Sequence, residues 1–571
     1  MNQGETRDGR RLSVIRAKQE RPPQQLLERL RRPVGSSDVD DWLRDFRDWY
    51  FDEDERVWFA DWRGFHFPAS EMFQDARFLG RVNFRDAVFH ESAVFESCQF
   101  GRDRDDLTDF REARFMKGAR FDSCNFAGEA KFDDARGHDA VAFTDCEFGR
   151  VASFIASHFE SRVSFSGVEF DSASAWGYAE FSDEVEFRDC EMGEMFLNDV
   201  SFPKMLIFDQ TQFEEANFYD CIFDGPVVLT RCGVRRNASF LDCEFRGLAK
   251  FDLGDFNDTY VRSRFLDHAI FWGMCLKGHT TFSRSRVEGV LEIVACAVEG
   301  SLDLDLAVGP AGQVTMKEVG RQFVERVGGQ TYEELVKKPN WNVLDGSARV
   351  YFGPMHLDRV ELRDCDVSEY RFRNAVGIES LAVYDVTWPR RGVAYRVGDE
   401  LDLAEPGKKS NARPTPGEVE RICRAFRKNF EDKRDRVGAH GWYVAEMEVG
   451  RRYAPKLSLT RLARTFYKAT AEYGFSAIRP AVILVIAAAA ALALLSVDAT
   501  SMCVVSVESP SVCAGWETTM RVVLLAIFLQ GPPPEALLGG LIAEVIWITL
   551  RVSGAAMLIA IAVAFRNQVA R

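Results

Sequence analysis

Phenylalanine recurs at positions 73, 78, 84, 89, 95 and 100, again at 110, 115, 121, 126 and 132, and again at 143, 148, 154, 159, 165 and 170. The steps alternate between five and six residues, a beat that fits neither the 3.6-residue period of an amphipathic helix nor the two-residue period of a half-buried strand. An 11-residue period is close to three helical turns. On a helical wheel, however, the alternation spreads Phe over two stripes about 140° apart, so no single face is buried. The intervening segments, such as Phe121-Asp-Ser-Cys-Asn-Phe126 and Phe143-Thr-Asp-Cys-Glu-Phe148, are made of turn-forming residues. The beat therefore predicts a repeat protein whose backbone turns a corner every five or six residues.

Composition agrees with an apolar interior of unusual kind. The chain has 46 Phe against 13 Tyr and 11 Trp, and a ring without a polar handle fills a core that offers it no partner. The 13 cysteines raise the question of a metal site or disulfides. Cys98, Cys124, Cys146, Cys190, Cys221, Cys232, Cys243, Cys296 and Cys365 each fall three residues after a Phe or other inward apolar residue. Ala76, Ala87 and Ala113 hold the same slot, which asks for a small side chain rather than a ligand. No C-x-x-C pair or neighbouring His accompanies these cysteines. Neither a metal nor any other cofactor is expected.

Several units carry a small residue two positions before the central Phe: Ala-Arg-Phe121, Ala-Lys-Phe132, Ala-Asn-Phe218, Ala-Ser-Phe240, Cys-Asn-Phe126, Cys-Glu-Phe148 and Cys-Glu-Phe245. In these units the chain resembles the pentapeptide-repeat proteins, over roughly residues 65–305 with a degenerate return at 355–390. The resemblance implies a mainly β fold, a right-handed quadrilateral β-solenoid with both residues of the unit pointing inward. Phe78, Phe84, Phe89, Phe95, Phe121, Phe126, Phe143 and Phe148, with Cys98, Cys124, Cys146, Cys190, Cys221 and Cys243, would form its core. The six-residue step departs from the family's unit and bears on the corner geometry. Solenoid ends need caps, and the aromatic segment 41–64 is the N-terminal candidate. Residues 1–40 read as a disordered basic tail without an apolar signal segment. Residues 306–354 lose the beat, and the helix-like run from Val314 to Phe323 marks them as an insertion.

The C-terminal third has a different composition. Residues 391–416 read as a linker, 417–456 as a helical hairpin, 457–479 as a basic amphipathic juxtamembrane helix suited to anionic lipid, and 480–571 as a membrane domain. The charge-free run 480–497 is 18 residues long, about the minimum for a spanning helix, and a second apolar stretch covers about 540–565. Between them, Trp516 to Gln530 is too short to cross and is followed by Gly531-Pro-Pro-Pro-Glu535, the profile of a re-entrant or interfacial helix. Arg451, Arg452, Lys456, Arg461, Arg464 and Lys468 precede the first span, which predicts that both flanks of the two-span domain are cytoplasmic. Cys503 and Cys513 in the outer loop are then candidates for a disulfide. Glu544 and Arg551, and Gln530 before the prolines, are candidates for a pore or an interhelical contact; for Glu544 the alternative is snorkelling to the outer interface. Small residues near Gly554 would permit a homo-oligomer. The junction Tyr473-Gly474 followed by Arg479-Pro480, and the ending Ala564-Phe-Arg-Asn567, are similar to those of bacterial membrane-bound pentapeptide-repeat proteins. That similarity implies an inner-membrane location.

Charge narrows the functional classes. The net charge is −15 overall, about −19 over residues 61–310 and about +7 over 411–479. No H-E-x-x-H, G-x-S-x-G, phosphate-binding loop or dinucleotide fingerprint occurs, so no enzymatic activity is expected. The leading expectation is a membrane-anchored interaction platform, with lipid as one partner and a protein on the acidic stretch 171–224 as the other. The first alternative is an oligomeric pore-loop-like ion channel regulated by the solenoid. The second is an acidic DNA mimic acting on a topoisomerase, a role of some soluble members of the resembled family; nucleic acid itself is not an expected partner.

Overall fold

A chain that keeps one coil length can pair each coil with the next at strand spacing, so a column of identical side chains becomes a ladder. A computed structural model describes residues 22–317 except 53–56, 59, 60, 71, 72 and 79; residues 349–404 except 354 and 369; residues 414–497 except 475; and residues 503–506, 509–513, 516–528 and 541–569. It divides into two compact units, Met1–Trp388 and Pro389–Arg571.

The first unit is a parallel β-solenoid of about 13 turns with a spacing near 22 residues. One sheet holds 14 strands in sequence order, from Phe73–Gln74 to Ala382–Tyr384. Its register sets Phe95, Phe121, Phe143 and Phe165 directly over one another. Their ring centroids are 4.8, 4.7 and 4.9 Å apart with planes within 5° of parallel. That separation is the strand spacing itself, so backbone pairing dictates the ring stack. Across the interior the contacts are edge-on, as between Phe110 and Phe121 at 5.7 Å and 84° and between Phe132 and Phe143 at 5.6 Å and 88°. Stacked within columns and T-shaped between them, the rings satisfy both favourable aromatic geometries. Phe78, Phe84, Phe89, Phe95, Phe121, Phe126, Phe143 and Phe148 are all buried.

The alternation of five and six has a backbone cause. Each five-residue step from Phe73 to Phe170 carries a left-handed residue two positions after its first aromatic: Asp75, Asp86, Ser97, Glu112, Ser123, Asp134, Asp145, Ala156 and Gly167. Asp recurs at this corner as far as Asp385, with φ between 47° and 58° at its ten positions among the described residues. Asp accepts this conformation better than most residues because its short carboxylate bonds locally. A five-residue step is thus a tight left-handed corner. The six-residue steps lack such a residue except where Gly80 and Gly118 supply it.

The solenoid keeps its coil further than the sequence suggests. Gln313–Lys317, within the expected helix-like insertion, is a strand paired with Val290–Val294, and Val314 and Met316 are buried on the period-two alternation of a strand. The next strands, Arg349–Phe352 and Val360–Arg363, pair on Ser301–Val308 and Gln313–Lys317, so the stack resumes in register. Residues 318–348 lie outside the described residues. At the other end, helix α1 (Gln24–Leu30) precedes α2 (Val39–Tyr50), whose Trp42, Phe46 and Tyr50 are buried. Phe46 meets Phe67 edge-on at 5.4 Å, closing the first ring layer.

The second unit begins with a short antiparallel pair, Arg390–Arg391 with Ala394–Tyr395, and helix α3 (Gly398–Ala404), so the expected linker is partly structured. Helices α4 (Pro416–Asp432) and α5 (Arg436–Tyr453) form a hairpin around Phe426 stacked on Trp442 at 4.6 Å. A capping box of Thr415 and Glu418 starts α4, and the Asp435 carboxylate caps α5. Helix α6 (Leu459–Ala471) is followed by α7 (Ile478–Val497), α8 (Trp516–Ile527) and α9 (Leu541–Val569). The last three pack around Ala491, Val523, Ala526, Ile527 and Leu550. Gly554 allows a close approach there, since a Cβ would lie 3.0 Å from the Ile527 Cα. Of the small residues near Gly554 noted from sequence, Gly554 itself packs against α8 of the same chain, whereas Ala556 is exposed. Within α9, Val545–Ala564 is long and apolar enough to cross a membrane; Ile478–Leu494 is apolar but shorter.

Candidate functional site

Strands Glu169–Ala175, Glu191–Asn198, Gln212–Tyr219 and Gly233–Phe245 run unbroken for 7, 8, 8 and 13 residues where earlier coils use separate short strands. Register shifts at Phe170/Ala173, Phe213/Ala216 and Val234/Asn237 place β-bulges in this stack, and bulges bend the strand that carries them. Gly193 lets two coils approach, since a Cβ there would sit 1.9 Å from the Ser172 carbonyl oxygen. The result is an outer groove of about 440 Å³ in which Glu169, Asp171, Glu191, Glu194 and Glu214 face Arg235 and Arg236.

Its electrostatics follow from register. Glu147, Glu169 and Glu191 are stacked in successive coils. Burial, and then the neighbouring Asp171, Glu191 and Glu147 carboxylates, raise the carboxyl of Glu169 above its ordinary range. Glu214 is held by Arg236 at 2.8 Å, and Asp171 is approached by Arg104 at 3.6 Å. These acids differ from those at the corners. The corner aspartates meet a backbone requirement, whereas Glu169, Glu191 and Glu194 sit on strands without positive φ, where any polar residue would serve the fold. The groove lies almost wholly within the acidic stretch 171–224 singled out from sequence, extended by Glu169 and by Arg235 and Arg236.

The cysteine ladder has a role the sequence reading missed. Cys98, Cys124, Cys146, Cys190, Cys221 and Cys243 are buried, and each thiol donates to a main-chain carbonyl of the preceding coil, for example Cys124 to Phe95 at 3.3 Å and Cys146 to Phe121 at 3.4 Å. Thr211 fills the same slot and donates to the Phe187 carbonyl at 3.3 Å. Thr211, which follows Phe208 at the cysteine spacing, was the signal that the slot takes a small donor as well as a small volume. Burial pushes Cys190, Cys232 and Cys296 up to about 12. Among the described residues no group of three or more His, Cys, Asp or Glu is placed to hold a metal ion.

In the second unit the charges turn inward. Glu446 of α5 accepts from Arg424 at 2.9 Å and Arg427 at 2.7 Å of α4. Glu448, nearly buried, is met by Arg451 at 3.0 Å, Lys468 at 2.9 Å and the Tyr473 hydroxyl at 2.8 Å. Burial alone would raise the Glu448 carboxyl, but hydrogen bonds from Arg451, Lys468 and Tyr473 outweigh it and hold it down at about 2. Glu420 binds Arg464 of α6 at 3.0 Å, and Glu400 of α3 binds Arg452 at 2.8 Å. Three consecutive left-handed residues, Glu472, Tyr473 and Gly474 with φ of 49°, 58° and 83°, form the elbow between α6 and α7. This elbow is the Tyr-Gly junction read from sequence, and Tyr473 pins it to the hairpin.

The membrane candidates separate. Arg551 lies over the Trp547 ring at 4.9 Å, one turn away on α9. Glu544 is on the same helix, but its side chain and the whole of Gln530 lie outside the described residues. Cys503–Ser506 and Ser509–Cys513 form an antiparallel pair whose register puts Cys503 directly opposite Cys513. No protein-family model, curated protein or solved structure matches the chain, so the groove and the ion-paired helices stand on their own geometry.

Proposed function

We propose that the chain is a membrane-anchored, right-handed and four-sided pentapeptide-repeat solenoid that serves as an interaction platform for a protein partner. The observation that carries this reading is the acidic groove at Glu169, Glu191 and Glu194, because its charges are not demanded by the coil. A groove lined by five carboxylates and two guanidinium groups suits a segment rich in Lys or Arg that also carries an acidic residue. In this reading α7 and α9 both span a bacterial inner membrane, with the solenoid and the C-terminus on the cytoplasmic side. The loop between them then faces an oxidising space, where Cys503 and Cys513 pair. Directly opposed positions on antiparallel strands have Cα separations of about 4.5–5.5 Å, inside the window a disulfide needs.

Co-purification of cross-linked protein from membranes tests the platform. Glu169→Lys, Glu191→Lys and Glu194→Lys together are expected to abolish capture of the partner while leaving the circular dichroism of the solenoid unchanged. Capture that survives the triple reversal would exclude the groove as the binding face. A second reading is supported by α8, a short helix packed between two apolar helices as in pore-loop channels. Ion flux through reconstituted vesicles that is lost in Arg551→Ala would favour it over the platform.

A further inference from the structure

Helix α6 has two unlike faces. One is bonded to the hairpin: Arg464 to Glu420, Lys468 to Glu448, and Tyr473 just beyond it to Glu448. The other carries Leu459, Leu462 and Phe466 at 83, 58 and 62% exposure, with Ala463 and Ala469 exposed beside them. The spacing i, i+3, i+7 makes these one stripe, and Leu457 at 94% exposure prolongs it. Side chains of this size left in water forgo the burial that usually stabilises them. Among the described residues nothing covers the stripe.

Its place in the chain indicates what does. The elbow at Glu472, Tyr473 and Gly474 leads directly into apolar α7, and a Cβ on Gly474 would lie 3.5 Å from Val563, near the C-terminal end of the candidate span in α9. Helix α6 therefore ends where two apolar helices have their ends. The charge pattern also fits. Arg464 and Lys468, counted from sequence among the basic residues of an amphipathic helix, are engaged by Glu420 and Glu448. Lys456 and Arg461 meet no carboxylate among the described residues; the Arg461 guanidinium donates to the Ala454 carbonyl at 3.2 Å. These two remain for anionic headgroups.

We infer that α6 lies in the boundary between headgroups and acyl chains of a phospholipid bilayer, with Leu459, Leu462 and Phe466 inserted, and that it clamps the α4–α5 hairpin to the membrane surface through Glu420 and Glu448. The inference rests on the membrane reading above and adds a second, in-plane attachment to it. Such helices sink roughly 5–10 Å below the phosphates, and basic residues at their edge favour anionic lipid. The full chain with Cys503→Ser and Cys513→Ser, carrying Leu462→Cys labelled with bimane, is reconstituted in vesicles of phosphatidylcholine and phosphatidylglycerol. Lipids brominated near the headgroup are expected to quench this probe several-fold more than the same label at Lys428→Cys, an exposed position on α4. Retention of the protein after alkaline washing with no difference in quenching would overturn the inference alone. Release by the alkaline wash would overturn the membrane reading and the inference with it. Cross-links between copies through Leu462→Cys, without quenching by lipid, would assign the stripe to a second copy and also overturn it.

Discussion

The solenoid and the helical unit place charge in opposite positions. In the solenoid the interior is apolar, aromatic in the early coils and increasingly aliphatic in the later ones, and most carboxylates ride on the corners and outer strands. In the hairpin the carboxylates of Glu446 and Glu448 are drawn into the packing, while Leu459, Leu462, Phe466, Val552 and Ile559 face outward. The difference follows from what each backbone can satisfy. Stacked coils pair main-chain groups coil to coil, and the small donors inside, such as Cys124 and Thr211, bond to main-chain carbonyls, so little is left over for a charge to answer. Packed helices bring basic side chains from neighbouring elements within reach of each glutamate, and many apolar residues are displayed outward. One unit hides its apolar residues and the other displays many of them.

If the solenoid owes its stability to the ring ladder, Phe143→Ala should cause the largest loss. It removes a ring stacked on two others and met edge-on by Phe132, and roughly 3–5 kcal/mol is expected for such a truncation. Urea unfolding of the full chain in detergent, followed by the β signal, would show it. A loss no larger than that of an exposed Leu462→Ser would break the comparison on the solenoid side.

In the helical unit the corresponding test is Glu448→Ala, which leaves Arg451, Lys468 and the Tyr473 hydroxyl without their acceptor. About 3 kcal/mol is expected from the loss of one partner of a buried pair, read as the midpoint of helix unfolding. Acid should mimic the variant. The carboxyl is depressed in the folded unit, so its contribution is complete above its ordinary value near 4.5 and is lost as pH falls toward about 2. A hairpin equally stable at pH 3 and pH 7 would show that the network contributes nothing.

Smaller effects separate the two kinds of acid. Asp145→Val at a left-handed corner should cost about 1–2 kcal/mol, whereas Asp145→Asn should be nearly neutral because Asn tolerates the same backbone. Glu169→Gln should leave stability within about 0.5 kcal/mol, as for surface substitutions generally. Equal costs at Asp145 and Glu169 would erase the distinction between a required and a chosen charge. The mildest test is chemical. Cys190, Cys232 and Cys296 should resist alkylation at pH 8 in the native protein and react on denaturation, because burial keeps them as thiols.

The two regions also differed in how much their sequence disclosed. The Phe beat was legible because stacking repeats one choice at every coil, and the corner at Asp134 or Asp145 is written locally as Phe-x-Asp. Gln313–Lys317 was misread because two inward residues, Val314 and Met316, are too few to establish a period against the helix-forming residues that follow. The partners of Glu448 come from Arg451, Lys468 and Tyr473, up to 25 positions away, and no local pattern joins them. The groove was half legible: its charge could be counted, but the bulges that open it depend on pairing between coils.

The left-handed corners and in-register columns also determine how the solenoid would respond to load. Because each coil is bonded only to the coils above and below, tension drawn along the chain is borne by the terminal coil, and its neighbours are loaded only after it lets go. A released coil near 22 residues long adds about 75 Å of slack. Extension would therefore proceed as evenly spaced steps, a sawtooth in force, and each step would absorb work that would otherwise reach the next layer of rings.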